Sequence, residues 1–288
     1  MLDISKDKKN FYEISDKVKT DSGNIYEIGD YLGSGGNAVV YEAFDFENKE
    51  YAIKFNLNLG EKNITRFKQE IRVLQNISHP HLLKYIDEGS IVAKNRNEDV
   101  QIPFMIMEKA DLNLRDYLKK KGRLDYSEYM SQFCGLSEAL SKLNIKVVHR
   151  DIKLENILII GEKWVLSDLG LCSFLSEEEH EDITGMNEKV GPKYWMSPEA
   201  INRMYDVNQK IIPASDVFQL ASVFWFVING KYPQGIVCEE DWSNKRDMET
   251  CKLLLKSLSF NAVKRPQNGT EFFNEFQKIR NYYENKKI

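Results

Sequence analysis

Two carboxylates, a lysine and an asparagine lie close together along one stretch of the chain, at Asp151, Lys153, Asn156 and Asp168. Short apolar runs after Asn156 and before Asp168 indicate buried strands that would hold these side chains at their ends. In phosphoryl transfer, one carboxylate orients the attacking hydroxyl, while a second carboxylate and an amide oxygen hold Mg²⁺. A cation neutralises charge on the moving phosphoryl group. The four residues therefore predict a phosphoryl-transfer site.

A glycine-rich loop, Leu32 to Val40, follows a stretch that alternates as a half-buried strand does. Glycines allow a tight turn and let backbone N–H groups approach phosphate oxygens closely. Because glycine-rich hairpins are common, the loop by itself predicts only a turn between two strands.

A lysine and a glutamate follow this loop in regular strand and helix patterns. Strand alternation over residues 51–55 puts Ala52 and Lys54 on one face. Apolar residues recur at helical spacing over residues 64–77, with Glu70 beside the apolar stripe. Taken singly, Lys54 and Glu70 are ordinary surface residues, so their interpretation depends on the other motifs.

These motifs together resemble those of the eukaryotic-type protein kinases. The glycine-rich loop is similar to the family's G-x-G-x-x-G-x-V pattern at Gly33, Gly35 and Val40. Ala38 stands where the third glycine is usual. Lys54 stands where the family has the lysine of its V-A-I-K strand.

The resemblance extends to the polar stretch that contains Asp151 and Asp168. His149-Arg150-Asp151 is similar to the family's catalytic loop, and Ser167-Asp168-Leu169-Gly170 to its metal-binding loop. Leu169 replaces the usual phenylalanine. The resemblance covers residues 25 to 283, which is nearly the whole chain.

The resemblance implies a catalytic role for four side chains. Asp151 would orient the substrate hydroxyl or accept its proton, and Lys153 would neutralise the γ-phosphate as it transfers. Lys54 would bind the α- and β-phosphates and would pair with Glu70 in the active state.

The cofactors implied are ATP and Mg²⁺, with Mn²⁺ as the alternative ion. Asn156 and Asp168 would hold the metal. The residues expected around the nucleotide are Leu32, Gly33, Gly35, Gly36, Val40, Ala52, Lys54, Met107, Glu108 and Ala110.

Two parts of the sequence favour different hydroxyl classes. Lys153, two residues after Asp151, is similar to the serine/threonine kinases. Pro192 stands where those kinases place a threonine that bonds the catalytic aspartate and lysine, and a proline there resembles the tyrosine kinases. The expectation is a serine/threonine protein kinase that also phosphorylates itself, with a dual-specificity or tyrosine kinase as an alternative. A pseudokinase scaffold is another alternative, because Ala38, Leu169 and Pro192 depart from the family pattern.

Residues 171–196 are expected to form the activation loop. Its candidate phosphosites are Thr184, Ser176 and Ser173, and Arg150 would bind the added phosphate.

Further contacts are expected in the rest of the chain. Glu199 of the Ser197-Pro198-Glu199 motif would pair with Arg265, and Asp216 would bond the backbone of the catalytic loop. An apolar run at residues 217–228, interrupted by Gln219 and Ser222, is too short to span a bilayer and predicts a buried helix.

The fold class implied is α+β: a bilobal protein-kinase-like fold with a small β-rich N-lobe, one main N-lobe helix and a larger, mainly α-helical C-lobe. The expected segments are an N-terminal extension at 1–24, an N-lobe at 25–108 and a C-lobe at 109–288, with a single kinase domain at 25–283. The extension has few apolar anchors and is expected to be a mobile lead-in or a surface helix. Periodicity predicts further helices at 112–121, 126–143 and 270–283.

Composition limits the partners and the compartment. The net charge of −4 and the pI of about 5.8 argue against a general nucleic-acid binder. The four cysteines form no C-x-x-C pair, which favours reduced thiols over disulfides or a zinc site. No secretory signal is seen. We therefore expect a cytoplasmic protein whose partners are ATP and a protein substrate, with neither nucleic acid nor membrane. The sequence does not indicate an oligomeric state.

Overall fold

An eight-stranded sheet is the framework of the first of two structural units. The computed structural model describes residues 1–5, 11–96, 98–176, 191–206 and 208–286. The first unit comprises Met1–Ser78 with Leu83–Ala110, and the second comprises His79–Leu82 with Asp111–Ile288.

Every neighbouring pair of strands in the large sheet is antiparallel, so short connections suffice between most of them. The order across the sheet is β1-β2-β7-β8-β6-β5-β4-β3. The strands are β1 (Leu2–Ser5), β2 (Phe11–Ile14), β3 (Lys17–Lys19), β4 (Ile25–Ser34), β5 (Ala38–Phe44), β6 (Glu50–Asn56), β7 (Tyr85–Asn95) and β8 (Glu98–Met107).

The N-terminal residues are part of this sheet, and the expectation of a mobile lead-in or a surface helix was wrong. Strands β1 and β2 pair with each other and extend the sheet beyond β7, while β3 pairs with β4 at the opposite edge. Ile4, Ile14 and Val18 are buried in the core of the first unit. These apolar residues are too far apart in the sequence to form a visible pattern, because their packing partners come from distant strands.

Replacing Ile14 with alanine is expected to lower the free energy of unfolding by about 2–5 kcal/mol, because a buried apolar side chain leaves a cavity. Denaturant unfolding followed by circular dichroism measures the change. Phe11→Ala, in the same strand but with half of the side chain exposed, is the control and should cost only about 1 kcal/mol. Equal losses in the two variants would contradict a packed N-terminal strand.

Strand alternation gives the large sheet two different faces. Ile53 and Phe55 of β6 point to the face that the N-terminal strands help to cover. Ala52 and Lys54 point to the other face, where Glu70 of α1 (Glu61–Asn76) contacts Lys54. The inward stripe predicted for this helix is confirmed, because Phe67, Ile71 and Leu74 are all buried.

The described part of the second unit is mainly helical. Its helices are α2 (Leu114–Lys121), α3 (Tyr126–Leu143), α4 (Pro198–Asn202), α5 (Pro213–Asn229), α6 (Met248–Ser257) and α7 (Gly269–Asn285). Its short strands are β9 (Leu112–Asn113), β10 (Val147–Val148), β11 (Ile157–Ile160), β12 (Lys163–Leu166) and β13 (Ser173–Phe174).

The helix predictions hold well in this unit. Helix α3 has the predicted bounds, and α7 exceeds the prediction slightly at each end. Helix α2 begins later than predicted, because Leu112 and Asn113 pair with β11 and the Asn113 side chain accepts a hydrogen bond from the Asp116 N–H. Among the described residues, no helix combines the length and the apolar character that crossing a membrane requires.

Candidate active site

The catalytic-loop segment lies between short strands of the second unit. Strand β10 precedes it and pairs with β13. After the loop, a 3₁₀ turn at Leu154–Asn156 leads into the hairpin of β11 and β12. The apolar runs around Asn156 and Asp168 are therefore strands, as predicted, and they fix where the loop begins and ends.

Asp151 is the centre of a cluster of polar contacts in this loop. Its Oδ2 accepts hydrogen bonds from Lys153 Nζ at 2.8 Å and from Asn156 Nδ2 at 2.7 Å. Asn156 Nδ2 also donates to the Asp151 backbone carbonyl at 2.8 Å. The structure thus brings together three of the predicted site residues.

Burial raises the pKa of the Asp151 carboxyl above its ordinary value, and the negative charge of Asp168 raises it further. The positive charge of Lys153 and its hydrogen bond act in the opposite direction without cancelling the effect of burial. A carboxylate with a raised pKa is a better proton acceptor, which suits a general base.

Asn156 and Asp168 offer oxygen atoms suited to a hard divalent cation. The Asn156 side chain donates both of its hydrogen bonds to Asp151 through Nδ2. Its Oδ1 takes no part in them and is the atom that would face a metal ion. Ser167 donates to the Asn156 carbonyl through its N–H and its hydroxyl, both at 2.9 Å, which ties the two segments together. Asp168 has a φ of +58°, which is uncommon for a residue other than glycine. The donor chemistry therefore fits Mg²⁺ or Mn²⁺.

Helix α5 anchors the catalytic loop, as expected of Asp216. Its carboxylate accepts hydrogen bonds from the His149 N–H at 2.8 Å and the Arg150 N–H at 2.9 Å. It also accepts one from Asn144 Nδ2 at 2.9 Å. A second anchor on the same helix, Gln219, bonds the backbone on both sides of Asp151 and is not among the residues predicted from the sequence.

Lys54 and Glu70 form an ion pair in the first unit. Lys54 Nζ lies 2.7 Å from Glu70 Oε1 and 2.8 Å from Oε2. The Glu70 side chain is almost fully buried, whereas that of Lys54 keeps some exposure. The two residues therefore contact each other, and their roles toward a nucleotide stay predictions.

Several residues expected around the nucleotide share one face of the large sheet. Val40 is directly opposite Lys54, and Ala52 is directly opposite Met107. Directly opposed residues of antiparallel strands point to the same face, so these four lie on the face that carries α1.

The remaining expected nucleotide contacts lie at the glycine-rich loop and after β8. Gly33 pairs with Val40, and Gly35 donates its N–H to the Ala38 carbonyl at 2.9 Å, which closes the hairpin. The Leu32 side chain is exposed. The Glu108 N–H donates to the Lys84 carbonyl at 3.1 Å. The structure also places Gly36 and Ala110 in the first unit.

Glu199 and Arg265 form the expected buried ion pair in the second unit. The guanidinium donates to both carboxylate oxygens, at 2.7 and 3.0 Å. Ser215 Oγ donates to the same carboxylate at 2.6 Å. Burial alone would raise the pKa of Glu199, but the bonds from Arg265 and Ser215 outweigh it and hold the pKa below the ordinary value.

Part of the expected activation loop lies within the described residues. Thr184 and the acidic run at 177–182 lie outside the described residues. Ser173 is buried in β13, where it pairs with Val148, so it is a poor phosphate acceptor in this conformation. Ser176 is exposed. The described residues therefore favour Ser176 over Ser173 as a phosphosite.

Comparison with known proteins identifies the family to which this arrangement belongs. Residues 26–279 match the family model of the protein kinase domain. The chain belongs to the protein kinase domain family, and its curled antiparallel sheet and helices form an α+β kinase fold.

The similar curated proteins are kinases of bacteria and eukaryotes. A probable serine/threonine-protein kinase of Clostridium acetobutylicum is 23% identical over 93% of this chain and 42% of its own length. A probable serine/threonine-protein kinase of Clostridium perfringens is 24% identical over 90% of this chain and 38% of its own length. A dual specificity protein kinase of Mus musculus is 27% identical over 74% of this chain and 25% of its own length. This chain spans less than half the length of these relatives.

Proposed function

We propose that this chain is an ATP-dependent protein kinase that transfers the γ-phosphoryl group to serine or threonine hydroxyls of proteins, including its own. The observation that carries the proposal is the buried Asp151 carboxylate, with Lys153 and Asn156 bonded to it. Family membership and the names of the similar proteins support the reaction class. In this reading, the first unit corresponds to the N-lobe and the second to the C-lobe, with the kinase domain at 25–283.

Asp151 and Lys153 would carry the chemistry at the acceptor hydroxyl. The Asp151 carboxylate would orient the hydroxyl and accept its proton as the new P–O bond forms, for which its raised pKa is favourable. Lys153 would neutralise negative charge on the transferring phosphoryl group. The position of this lysine, two residues after the aspartate, supports a serine or threonine acceptor.

Other side chains would bind and orient the nucleotide. Lys54, held by Glu70, would contact the α- and β-phosphates, and the N–H groups of the glycine-rich loop would approach the phosphates. Asn156 and Asp168 would hold Mg²⁺ or Mn²⁺, and a bound ion would neutralise charge on the phosphate oxygens. The face bearing Val40, Ala52 and Met107 would contact the base and sugar.

The test is phosphoamino-acid analysis after incubation with radiolabelled ATP, Mg²⁺ and a generic acceptor protein. We expect phosphoserine or phosphothreonine on the acceptor and on the chain itself, and none with Asp151→Asn. Phosphotyrosine alone would replace the proposed hydroxyl class by the tyrosine class. Tight nucleotide binding without any transfer would instead identify a pseudokinase.

In Lys153→Met, the acid limb of the plot of kcat/KM against pH is expected to move to higher pH. Burial already raises the pKa of Asp151, and removing the Lys153 charge, which lowers it, raises it further. Because the carboxylate is the active form, activity is present above this pKa and is lost as the pH falls through it. Lys252→Met, which breaks an exposed pair with Glu249, is the control and should leave the limb in place. A limb that stays fixed in Lys153→Met would contradict the assignment of Asp151.

A further inference from the structure

Helix α5 presents two polar side chains, one turn apart, to the catalytic loop. Asp216 bonds the N–H groups of His149 and Arg150, as the family resemblance predicts. Gln219, three residues later and almost fully buried, makes two further bonds to the same loop. Its Oε1 accepts from the Ile152 N–H at 3.0 Å, and its Nε2 donates to the Arg150 carbonyl at 3.1 Å.

These two bonds enclose Asp151. The Arg150 carbonyl belongs to the peptide group before the Asp151 Cα atom, and the Ile152 N–H belongs to the peptide group after it. One side-chain amide therefore holds both peptide planes that set the backbone angles of Asp151. Bonds to the peptide groups on both sides of Asp151 restrict rotation about its φ and ψ angles more than a single bond can.

The other polar groups of these two peptides also have partners. The Asp151 N–H donates to His149 Nδ1 at 3.3 Å, and the Asp151 carbonyl accepts from Asn156 Nδ2 at 2.8 Å. Because buried backbone polar groups need partners, losing Gln219 would remove a partner from one donor and one acceptor beside the reacting carboxylate. The backbone there would be free to move to recover these bonds.

The local backbone needs such restraint. Arg150 has a φ of +71°, in the left-handed region that residues other than glycine rarely adopt. Strained backbone of this kind persists only where surrounding contacts fix it. Asp216 fixes the N–H of Arg150 and Gln219 fixes its carbonyl, so helix α5 holds both polar ends of the strained residue.

The end of the activation segment packs against the same amide. Gly191 has a φ of +113°, and a Cβ atom there would lie 3.3 Å from the Arg150 carbonyl oxygen and 3.4 Å from Gln219 Nε2. The next residue is Pro192, whose side chain has no hydroxyl to bond Asp151 or Lys153. The threonine that the family resemblance implies at this position in serine/threonine kinases is therefore absent as a support for Asp151.

We propose that Gln219 is a positioning residue that fixes Asp151 through hydrogen bonds to the backbone on either side of it. The proposal rests on the proposed kinase function and names a further residue on which that function depends. Gln219 contacts no reacting atom, and it acts through the placement of the Asp151 carboxylate.

Gln219→Met removes both bonds while keeping a side chain of similar length. Because a misplacement of about 1 Å at a catalytic group can reduce the rate by roughly 100-fold, we expect kcat to fall by roughly 10- to 100-fold. The KM for ATP should stay unchanged, since Gln219 makes none of the contacts proposed for the nucleotide. Ser222→Ala, on the same helix, is the matched control, because the Ser222 hydroxyl bonds the helix's own Phe218 carbonyl.

Gln219→Glu provides a readout that a merely structural role would not change. A protonated carboxyl can donate to the Arg150 carbonyl and accept from the Ile152 N–H, so both bonds persist. Burial raises the pKa of such a carboxyl, and ionisation then removes the donor. The ionisable residues of the two bonded peptide groups are Arg150 and Asp151, and Asp216 lies one turn earlier on helix α5. We expect the ratio of variant to wild-type kcat to be highest at low pH and to fall as the pH rises.

Amide hydrogen exchange provides a readout that does not depend on activity. We expect the Ile152 N–H to exchange faster in Gln219→Met than in the wild type, while amides in α3 keep their protection. Wild-type kcat in the Met variant, or a kcat ratio independent of pH in the Glu variant, would overturn the positioning role. If the wild type itself transferred no phosphate, the proposed function would fail, and the exchange of the Ile152 amide would still decide whether Gln219 fixes this backbone.

Discussion

Replacing Glu199 with glutamine is expected to lower the free energy of unfolding by about 3–5 kcal/mol, because it leaves the buried Arg265 cation without a carboxylate partner. The Arg265 side chain is fully buried, and arginine cannot lose its charge in a protein. The backbone carbonyls of Ser259, Ala214 and Phe260 would still accept from the guanidinium, but they do not neutralise it. Denaturant unfolding followed by fluorescence measures the loss.

The matched control is Glu249→Gln, which breaks an ion pair with a similar N···O distance at the surface. Lys252 Nζ lies 2.7 Å from Glu249 Oε1, but both side chains are partly exposed to solvent, so the loss should be at most about 1 kcal/mol. If the two variants lost the same stability, burial would not be the reason for the contribution of Glu199.

The contribution of Glu199 also has a defined dependence on pH. Its pKa is held below the ordinary value in the folded protein. Its ionisation therefore stabilises the fold above the pKa of the unfolded state, and this contribution is lost as the pH falls through the folded-state pKa. The difference in stability between the wild type and Glu199→Gln should shrink in acid.

Replacing Asp151 with asparagine is expected to reduce kcat by about 10²–10⁴-fold, because the amide cannot accept the proton of the acceptor hydroxyl. The affinity for ATP should change little, since none of the contacts proposed for the nucleotide involves Asp151. Steady-state kinetics and a direct nucleotide titration separate the two effects.

Stability should not fall with this substitution. A folded-state pKa raised by burial means that ionised Asp151 costs stability above the pKa of the unfolded state, and the neutral amide removes that cost. Asp116→Asn is the control, because Asp116 also bonds a lysine, Lys119, at 2.9 Å but in an exposed helix position. A near-normal kcat in Asp151→Asn, or an equal drop in Asp116→Asn, would contradict the proposed role of Asp151.

The sequence was sufficient for features that a local periodicity or a specific motif marks. The strands around Asn156 and Asp168, the helix bounds of α3, and the pairing of Glu199 with Arg265 all follow local periodicity or motifs. The strands and α3 depend on residues close together in the chain. Glu199 and Arg265 are distant in the chain, but each belongs to a motif that the family resemblance marks.

Long-range pairing explains what the sequence did not reveal. Strand β2 joins the sheet through β7, far along the chain, and nothing local marks Ile4 or Ile14 as core residues. Gln219 did leave a signal, since it interrupts an apolar run three residues after Asp216 and therefore lies on the same side of the helix. Its partners are backbone groups, which have no signature in the sequence.

The attachment of β2 to β7 has a consequence for how the chain folds as it is made. Glu13 is opposite Lys94, about 80 residues later, so at ordinary rates of translation its partner appears roughly 4–16 s after it does. During that interval, β2 lacks the strand through which it joins the sheet. The pair of β1 and β2 is thus the first part of the sheet to leave the ribosome, yet it must wait for β7 before it can dock.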